Sequence, residues 1–226
     1  MGNTQLDTYK LISLDKISST QDYALDLIDN QKATDRMVIT ATAQTAGRGR
    51  YKRTWVSHSG NLYASFIYKT EERDPRLSYA IGVAVAETLC KFGLKPKIKW
   101  PNDILIDGKK ISGILIEYSN NFVIVGIGIN IKTCPKIKEY ETTKTNDYTS
   151  ANMTDVFNML VKQIDKWRDA DFNTVRERWM ALATKINETV IYQSKTMEMI
   201  GLNENGALVL RDDTKYIFAY GDEISI

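Results

Sequence analysis

Between Lys97 and Ile131 the chain has room for little but hairpins. KIKW at 97–100 runs into a Pro-Asn-Asp turn, and ILI at 104–106 into Asp107-Gly108. KISGILIEY at 110–118 runs into Asn120-Asn121, which opens FVIVGIGINI at 122–131. Connections this short join antiparallel neighbours, and Asp-Gly or Asn-Asn between apolar runs is a hairpin signal. An antiparallel sheet is therefore expected at the centre of the fold.

The remaining segments fit around such a sheet. YKLISLDKI at 9–17 and the β-branched run from Met37 to Ala43 read as strands. NLYASFIYK reads as another, with Leu62, Ala64, Phe66 and Tyr68 on one face. Ser18-Ser19-Thr20 offers hydroxyls at a helix start, with Ala24, Leu27 and Ile28 at helical spacing behind it. An apolar, Ala-rich helix is expected from Pro75 to Phe92, closed by Gly93. Two amphipathic helices carry Val156, Phe157, Leu160, Val161, Ile164 and Trp167, then Val175, Trp179, Leu182 and Ile186. Residues 132–150 are polar and irregular and read as a mobile loop. From about Asn187 short strands alternate with Gly and Asn turns: TVIYQ, MEMIGL, ALVLR and YIFAYGDEISI. The expected fold class is α+β: a mostly antiparallel sheet flanked by helices over residues 1–186, then a small β domain over residues 187–226.

Composition narrows the function classes. A chain of 226 residues, 43% hydrophobic, can bury a core without disulfide or metal support. Lys+Arg 30 against Asp+Glu 28 does not argue for a dedicated nucleic-acid surface. Cys90 and Cys134 form no C-x-x-C pair, so neither a structural zinc nor a disulfide framework is expected. MGNTQLDTYK has no apolar core of a signal peptide, and no stretch reaches the length of a membrane span. A soluble cytoplasmic protein is expected.

Common catalytic signatures are missing from the sequence. There is no G-x-x-x-x-G-K-[ST], and Gly126-Ile127-Gly128 lacks a third glycine. Those two glycines sit in a continuous apolar strand, where they suit a close approach of something to the backbone. A Ser-His-Asp triad would have to use the single histidine, His58, and no G-x-S-x-G elbow supports it.

Two segments could carry chemistry. Gly47-Arg48-Gly49-Arg50-Tyr51-Lys52-Arg53-Thr54-Trp55 places four cations among flexible residues, which should repel one another and stay mobile without an anion. Glycines admit backbone N–H groups to phosphates, and guanidinium groups fork onto carboxylate or phosphate oxygens. A solvated basic loop or an RNA-binding arm has the same composition. Lys99-Trp100-Pro101-Asn102-Asp103, with Lys110 and Gly113, puts lysines and a carboxylate at adjacent strand ends. Such a cluster is either a surface ion pair or a phosphate-contacting lysine with a Mg²⁺-holding aspartate.

QTAGRGRxxRxW, SGNLY, KWPNDILIDGKKISGILIE and VGIGIN, in this order, closely resemble the catalytic domain of biotin–protein ligases. The resemblance covers roughly residues 10–135 with nearly the family's spacing. The segment around Glu177-Arg178-Trp179, NGALVL and the closing GDEISI is similar to the family's linker and SH3-like C-terminal domain. His58 stands where the family usually carries proline, in a segment one residue shorter, and the chain is trimmed between Met199 and Gly206. About eight residues precede the first strand, so no winged-helix DNA-binding domain, no DNA partner and no repressor role are expected.

The resemblance implies a class II aminoacyl-tRNA-synthetase-like catalytic domain that activates biotin with ATP as biotinyl-5′-AMP. It then passes biotin to a lysine of a biotin carboxyl carrier protein. It implies Ser19, Thr20, Gln44, Gly47, Arg48, Lys110 and Gly113 around biotin, and Arg50, Arg53, Trp55, Lys99, Asn102 and Asn130 around ATP. Lys110, Arg48, Arg50 and Asp103 would act in catalysis, with Asp103 on Mg²⁺. No membrane partner is implied, and a homodimer is allowed. The nearest rival is a lipoate or octanoate ligase or transferase of related fold, against which the GRGR loop and KWPND weigh. An RNA-binding protein is disfavoured by the near-neutral charge and by the lack of an RNP-type aromatic strand.

Overall fold

The computed structural model describes residues 8–220. GDEISI, the end of the last expected strand, lies outside them. A seven-stranded sheet forms the body, in the order β1-β2-β3-β7-β6-β5-β4. Its strands are β1 (Lys10–Ile17), β2 (Met37–Gln44), β3 (Leu62–Lys69), β4 (Lys97–Lys99), β5 (Asp103–Ile106), β6 (Lys109–Ser119) and β7 (Phe122–Ile129). Only β1 and β2 run parallel, joined through helix α1 (Thr20–Asp29); every other neighbour is antiparallel. The meander expected from 97 to 131 therefore supplies four of the seven strands.

Each face of the sheet has its own helices. α2 (Leu77–Cys90), α3 (Met153–Arg168) and α4 (Phe172–Leu182) cover one face, where Leu62, Ala64, Phe66 and Tyr68 of β3 meet Val123, Val125, Ile127 and Ile129 of β7. α2 is buried nearly all round, which explains an Ala-rich helix without a polar stripe. On the other face α1 alone packs, over Met37, Ile39, Ile67, Phe122 and Ile124. Strand period two then decides what α1 leaves uncovered. Beyond Ile124 the same face of β7 carries Gly126 and Gly128, and beyond Ile67 towards the start of β3 it carries Ser65 and Tyr63.

Two differences from expectation have local causes. α4 stops at Leu182, short of Ile186, because Ala183 turns extended and bridges Ile98, with Thr184 N–H donating to the Ile98 carbonyl at 2.8 Å. Residues 132–150 are irregular but tied down. Lys110 N–H donates to the Glu141 carbonyl at 2.9 Å, Thr143 N–H returns to the Lys110 carbonyl at 3.0 Å, and the buried Asn130 amide holds the Thr143 carbonyl at 3.0 Å.

A second, four-stranded antiparallel sheet follows, in the order β11-β10-β9-β8. It comprises β8 (Glu188–Tyr192), β9 (Lys195–Leu202), β10 (Leu208–Arg211) and β11 (Tyr216–Ala219). Met197, Met199, Leu202, Leu208 and Leu210 join the main core, and Tyr79 on α2 donates its hydroxyl to the Gly206 carbonyl at 2.9 Å. Among the described residues no helix is long and apolar enough to cross a membrane.

Candidate active site

The uncovered glycine face is the floor of a cavity of about 450 Å³. Gly113 on β6 lies in register with Gly128 on β7, and Leu115 with Gly126. The Trp55 indole lies directly on this floor: a Cβ at Gly128 would stand 2.4 Å from its Nε1, and one at Gly113 2.8 Å from its ring. A Cβ at Gly126 would meet the Gln21 side-chain oxygen at 2.5 Å. These positions admit no side chain while the indole and Gln21 stay in place.

One end of the cavity is a run of hydrogen-bonded neutral groups. Ser19 caps α1, its hydroxyl accepting from the N–H groups of Gln21 and Asp22 at 3.2 and 3.3 Å. Thr20 gives both its N–H and its hydroxyl to the Gln44 side-chain oxygen, at 2.8 and 3.1 Å. The Gln44 amide donates to the Ser57 hydroxyl at 2.8 Å, and that hydroxyl donates to the Trp55 carbonyl at 2.9 Å. Ser65 Oγ stands 2.9 Å from both the Thr20 hydroxyl and the Gln21 side-chain oxygen. Three cavity donors, Gln21 Nε2, Trp55 Nε1 and Arg48 Nε, are buried without a hydrogen-bond partner among the described residues. Buried donors of this kind cost stability unless something bound accepts from them.

The other end is cationic. Arg48, Arg50, Arg53, Lys99 and Lys110 line the cavity, against one carboxylate, Asp103. Lys110 Nζ sits 2.7 Å from Asp103 Oδ1, between the rings of Trp55 and Tyr140, at 5.3 and 5.2 Å from their centroids. The Gly/Arg segment is itself a small hairpin rather than open coil. Gly49 N–H donates to the Arg53 carbonyl at 2.8 Å, Trp55 N–H to the Gly47 carbonyl at 2.8 Å, and Arg48 bridges Thr54. Tyr51 and Lys52 turn it with φ of 54° and 58°. Its cations do not all confront one another. Arg48 is paired with Asp22 and Glu117, while Arg50 donates to the neutral Asn102 side chain at 3.2 Å. Burial, with Arg53 nearby, pushes the Arg50 guanidinium below its usual value.

Twelve of the fourteen residues singled out from the sequence thus line one cavity: Ser19, Thr20, Gln44, Arg48, Arg50, Arg53, Trp55, Lys99, Asn102, Asp103, Lys110 and Gly113. Gly47 and Asn130 stand outside its wall. A Cβ at Gly47 would meet the Trp55 carbonyl and the Ser57 hydroxyl at 2.5 and 2.6 Å, so this glycine makes room for their hydrogen bond. Asn130 is buried and clamps the 143–145 segment through its side chain and backbone. Sequence reasoning missed Gln21, Ser65 and Tyr140. Ser65 had a signal, a buried polar residue on the face of β3 opposite Leu62, Ala64 and Phe66; Tyr140 had none.

Residues 13–133 match the biotin/lipoate A/B protein ligase family. The chain is 41% identical over 138 residues to the bifunctional ligase/repressor BirA of Bacillus spizizenii, covering 57% of this chain and 42% of that protein's length. It is 32% identical over 246 residues to the bifunctional ligase/repressor BirA of Salmonella typhimurium, covering 99% of this chain and 76% of that one. Its fold superposes on biotin protein ligase from Aquifex aeolicus, solved with biotin and ATP, with a TM-score of 0.82 at 26% identity, covering 96% and 97% of the two chains. The chain belongs to the biotin/lipoate A/B protein ligase family.

Proposed function

We propose that this protein is a biotin–protein ligase, which condenses biotin with ATP to biotinyl-5′-AMP and transfers the biotinyl group to a lysine of a biotin carboxyl carrier protein. One observation carries the reading: a single cavity has a neutral hydrogen-bonding end, a glycine floor under an indole, and Arg50, Arg53, Lys99 and Lys110 against one carboxylate at its other end. A neutral polar ring on an apolar chain that ends in a carboxylate fits that order of surfaces. The work belongs to the cytoplasm, where ATP and carrier meet.

In this reading Ser19, Thr20 and Gln44 set the ureido end. Thr20 and Gln44 already spend hydrogen bonds on each other, so they hold the pocket's shape. Ser19 uses its oxygen as a cap and keeps its hydroxyl proton for the ligand, and Gln21 offers the unpartnered amide. The bicyclic ureido ring system would occupy the glycine floor around Gly113, beside Trp55. Adenylation brings the biotin carboxylate against the α-phosphate. The protein's part is to hold two anions together, with Lys110, Arg50 and Arg53 supplying charge and Lys99 and Asn102 flanking the nucleotide. No protein nucleophile is required. Asp103 orients Lys110, and it is the one carboxylate in the cavity wall able to meet a Mg²⁺ carried by the triphosphate. Mg²⁺ bound largely through phosphates needs only one or two carboxylates, so this donor set fits; the ion would supply further neutralisation of the phosphate oxygens. In the transfer step the mixed anhydride is already activated, and the enzyme mainly aligns the incoming amine. Residues 1–186 form the catalytic domain in this reading, and residues 187–226 the SH3-like one.

Titration calorimetry with biotin and lipoate, followed by ATP-dependent pyrophosphate release, tests the proposal. Biotin is expected to bind at least about a hundredfold tighter, because lipoate leaves the polar end unpaired. Equal affinities, or release driven by lipoate alone, would overturn it.

A further inference from the structure

Arg48 meets two carboxylates, so its charge is more than cancelled. Its Nε lies 2.6 Å from Asp22 Oδ1, while Nη1 and Nη2 fork onto the two Glu117 oxygens at 2.8 and 2.7 Å. One guanidinium against two carboxylates leaves the trio at a net charge of −1, so an anion approaching Arg48 meets repulsion. The contacts also raise the Arg48 pKa: burial lowers it, but Glu117 and then Asp22 more than offset that. Arg50, by contrast, is partly buried and donates to the neutral Asn102 side chain.

The partners come from two rigid elements. Asp22 sits in the first turn of α1, where its N–H also caps onto Ser19, and Glu117 lies on β6 on the same face as Gly113 and Leu115. Arg48 itself starts the Gly/Arg hairpin, opposite Thr54 and next to Gly47, whose carbonyl accepts from Trp55 N–H. Pinning Arg48 to α1 and β6 therefore fixes where the hairpin crosses the cavity and where Trp55 rests on the glycine floor. We infer that Asp22, Arg48 and Glu117 form a clasp that positions the Gly/Arg hairpin over the cavity, and that Arg48 acts through this position instead of by touching an anionic ligand.

The trio is 29–42% exposed, so no single pair is strong, but a forked, doubly hydrogen-bonded contact to Glu117 beside a close ion pair to Asp22 holds three segments in place better than an isolated surface pair. Loosening it lowers the population of the closed hairpin. The apparent affinity of every ligand that needs closure falls by that fraction, while turnover of the closed complex is spared.

The inference rests on the biotin-activating reading for its kinetic arm only, and hydrogen exchange without ligand tests it separately. Glu117→Gln is expected to raise the biotin KM about tenfold, with kcat for adenylate formation within about threefold of wild type. Amide exchange across residues 48–55 of the ligand-free protein should quicken, because the open hairpin becomes more populated. Arg48→Met, which breaks the contacts to both Asp22 and Glu117, should quicken exchange at least as much, and adding Glu117→Gln to it should change exchange no further. Thermal unfolding checks that each variant is folded. Asp22→Asn, which removes one contact of three, replaces any variant that is not. A lowered kcat at saturating biotin in Arg48→Met, together with an unchanged biotin KM in Glu117→Gln, would assign Arg48 to the ligand and overturn the clasp. Unaltered exchange in Glu117→Gln would do the same. A wild-type protein that forms no biotinyl-adenylate would sink the function reading, while the exchange result would still decide the clasp.

Discussion

Gly113, Gly126 and Gly128 shape this site by what they lack. In a strand such residues usually weaken packing, and here they free a face of the sheet for an indole and a ligand. Gly128→Ala would place a methyl group 2.4 Å from Trp55 Nε1, against a rigid ring that must move. Overpacking of this kind costs about 1–3 kcal/mol, and the displaced indole should weaken biotin binding about tenfold or more. Calorimetry checks this: wild-type affinity in a folded Gly128→Ala protein would show that the pose of Trp55 is dispensable. The two glycines of GIGIN were legible in the sequence as a place of close approach. That Trp55 and Gln21 make the approach was not, since they lie 73 and 105 residues from Gly128 and Gly126.

At the scale of elements, α1 does two jobs with one residue. Ser19 caps the helix through its oxygen and faces the cavity, so Ser19→Ala confounds stability with binding. Ser19→Asp separates them. Aspartate is as good an N-cap as serine, so the unfolding midpoint should stay near wild type, whereas Ser19→Ala should cost about 1 kcal/mol. The added carboxylate cannot donate to a ureido carbonyl, so biotin affinity should fall at least about a hundredfold. Retained biotin binding in Ser19→Asp would remove Ser19 from the pocket. The hairpins of the 97–131 meander followed from turn residues and apolar runs, because such signals are local. The 132–150 segment read as loose because its anchors, Lys110 and Asn130, belong to other elements.

Across the whole molecule, buried tyrosines set the alkaline limit. Burial pushes the Tyr63 hydroxyl from its usual 10.0 up to about 12, and burial likewise raises Tyr9, Tyr68, Tyr79 and Tyr118. A folded-state pKa above the unfolded value means that the unfolded chain loses its protons first. The Tyr63 contribution is therefore fully present below pH 10 and is lost as pH rises through 12, at up to about 1.4 kcal/mol per pH unit for each such tyrosine. Stability should be insensitive to these groups at neutral pH and collapse above pH 10, with the Tyr63 tyrosinate band, read as the difference from Tyr63→Phe, appearing together with loss of helical circular dichroism. A Tyr63 difference band that appears while helical circular dichroism persists would show that this hydroxyl ionises within the native fold.

The sequence by itself determined the strands of the central meander, the faces of β3, the helical stripes, and twelve of the residues that line the cavity. Those depend on turn chemistry, on periods of 2 and 3.6 residues, and on a family resemblance carried by contiguous motifs. Tertiary structure alone decided the pairing of Arg48 with Asp22 and Glu117, the delivery of Tyr140 to Lys110, the withdrawal of Asn130 into a structural clamp, and the seating of Trp55 on glycine. A charge or an amide in a sequence has many partners within reach of a folded chain. Which one it meets is settled only when sheet order and helix placement bring distant segments within about 3 Å, the range at which hydrogen bonds and ion pairs take their geometry.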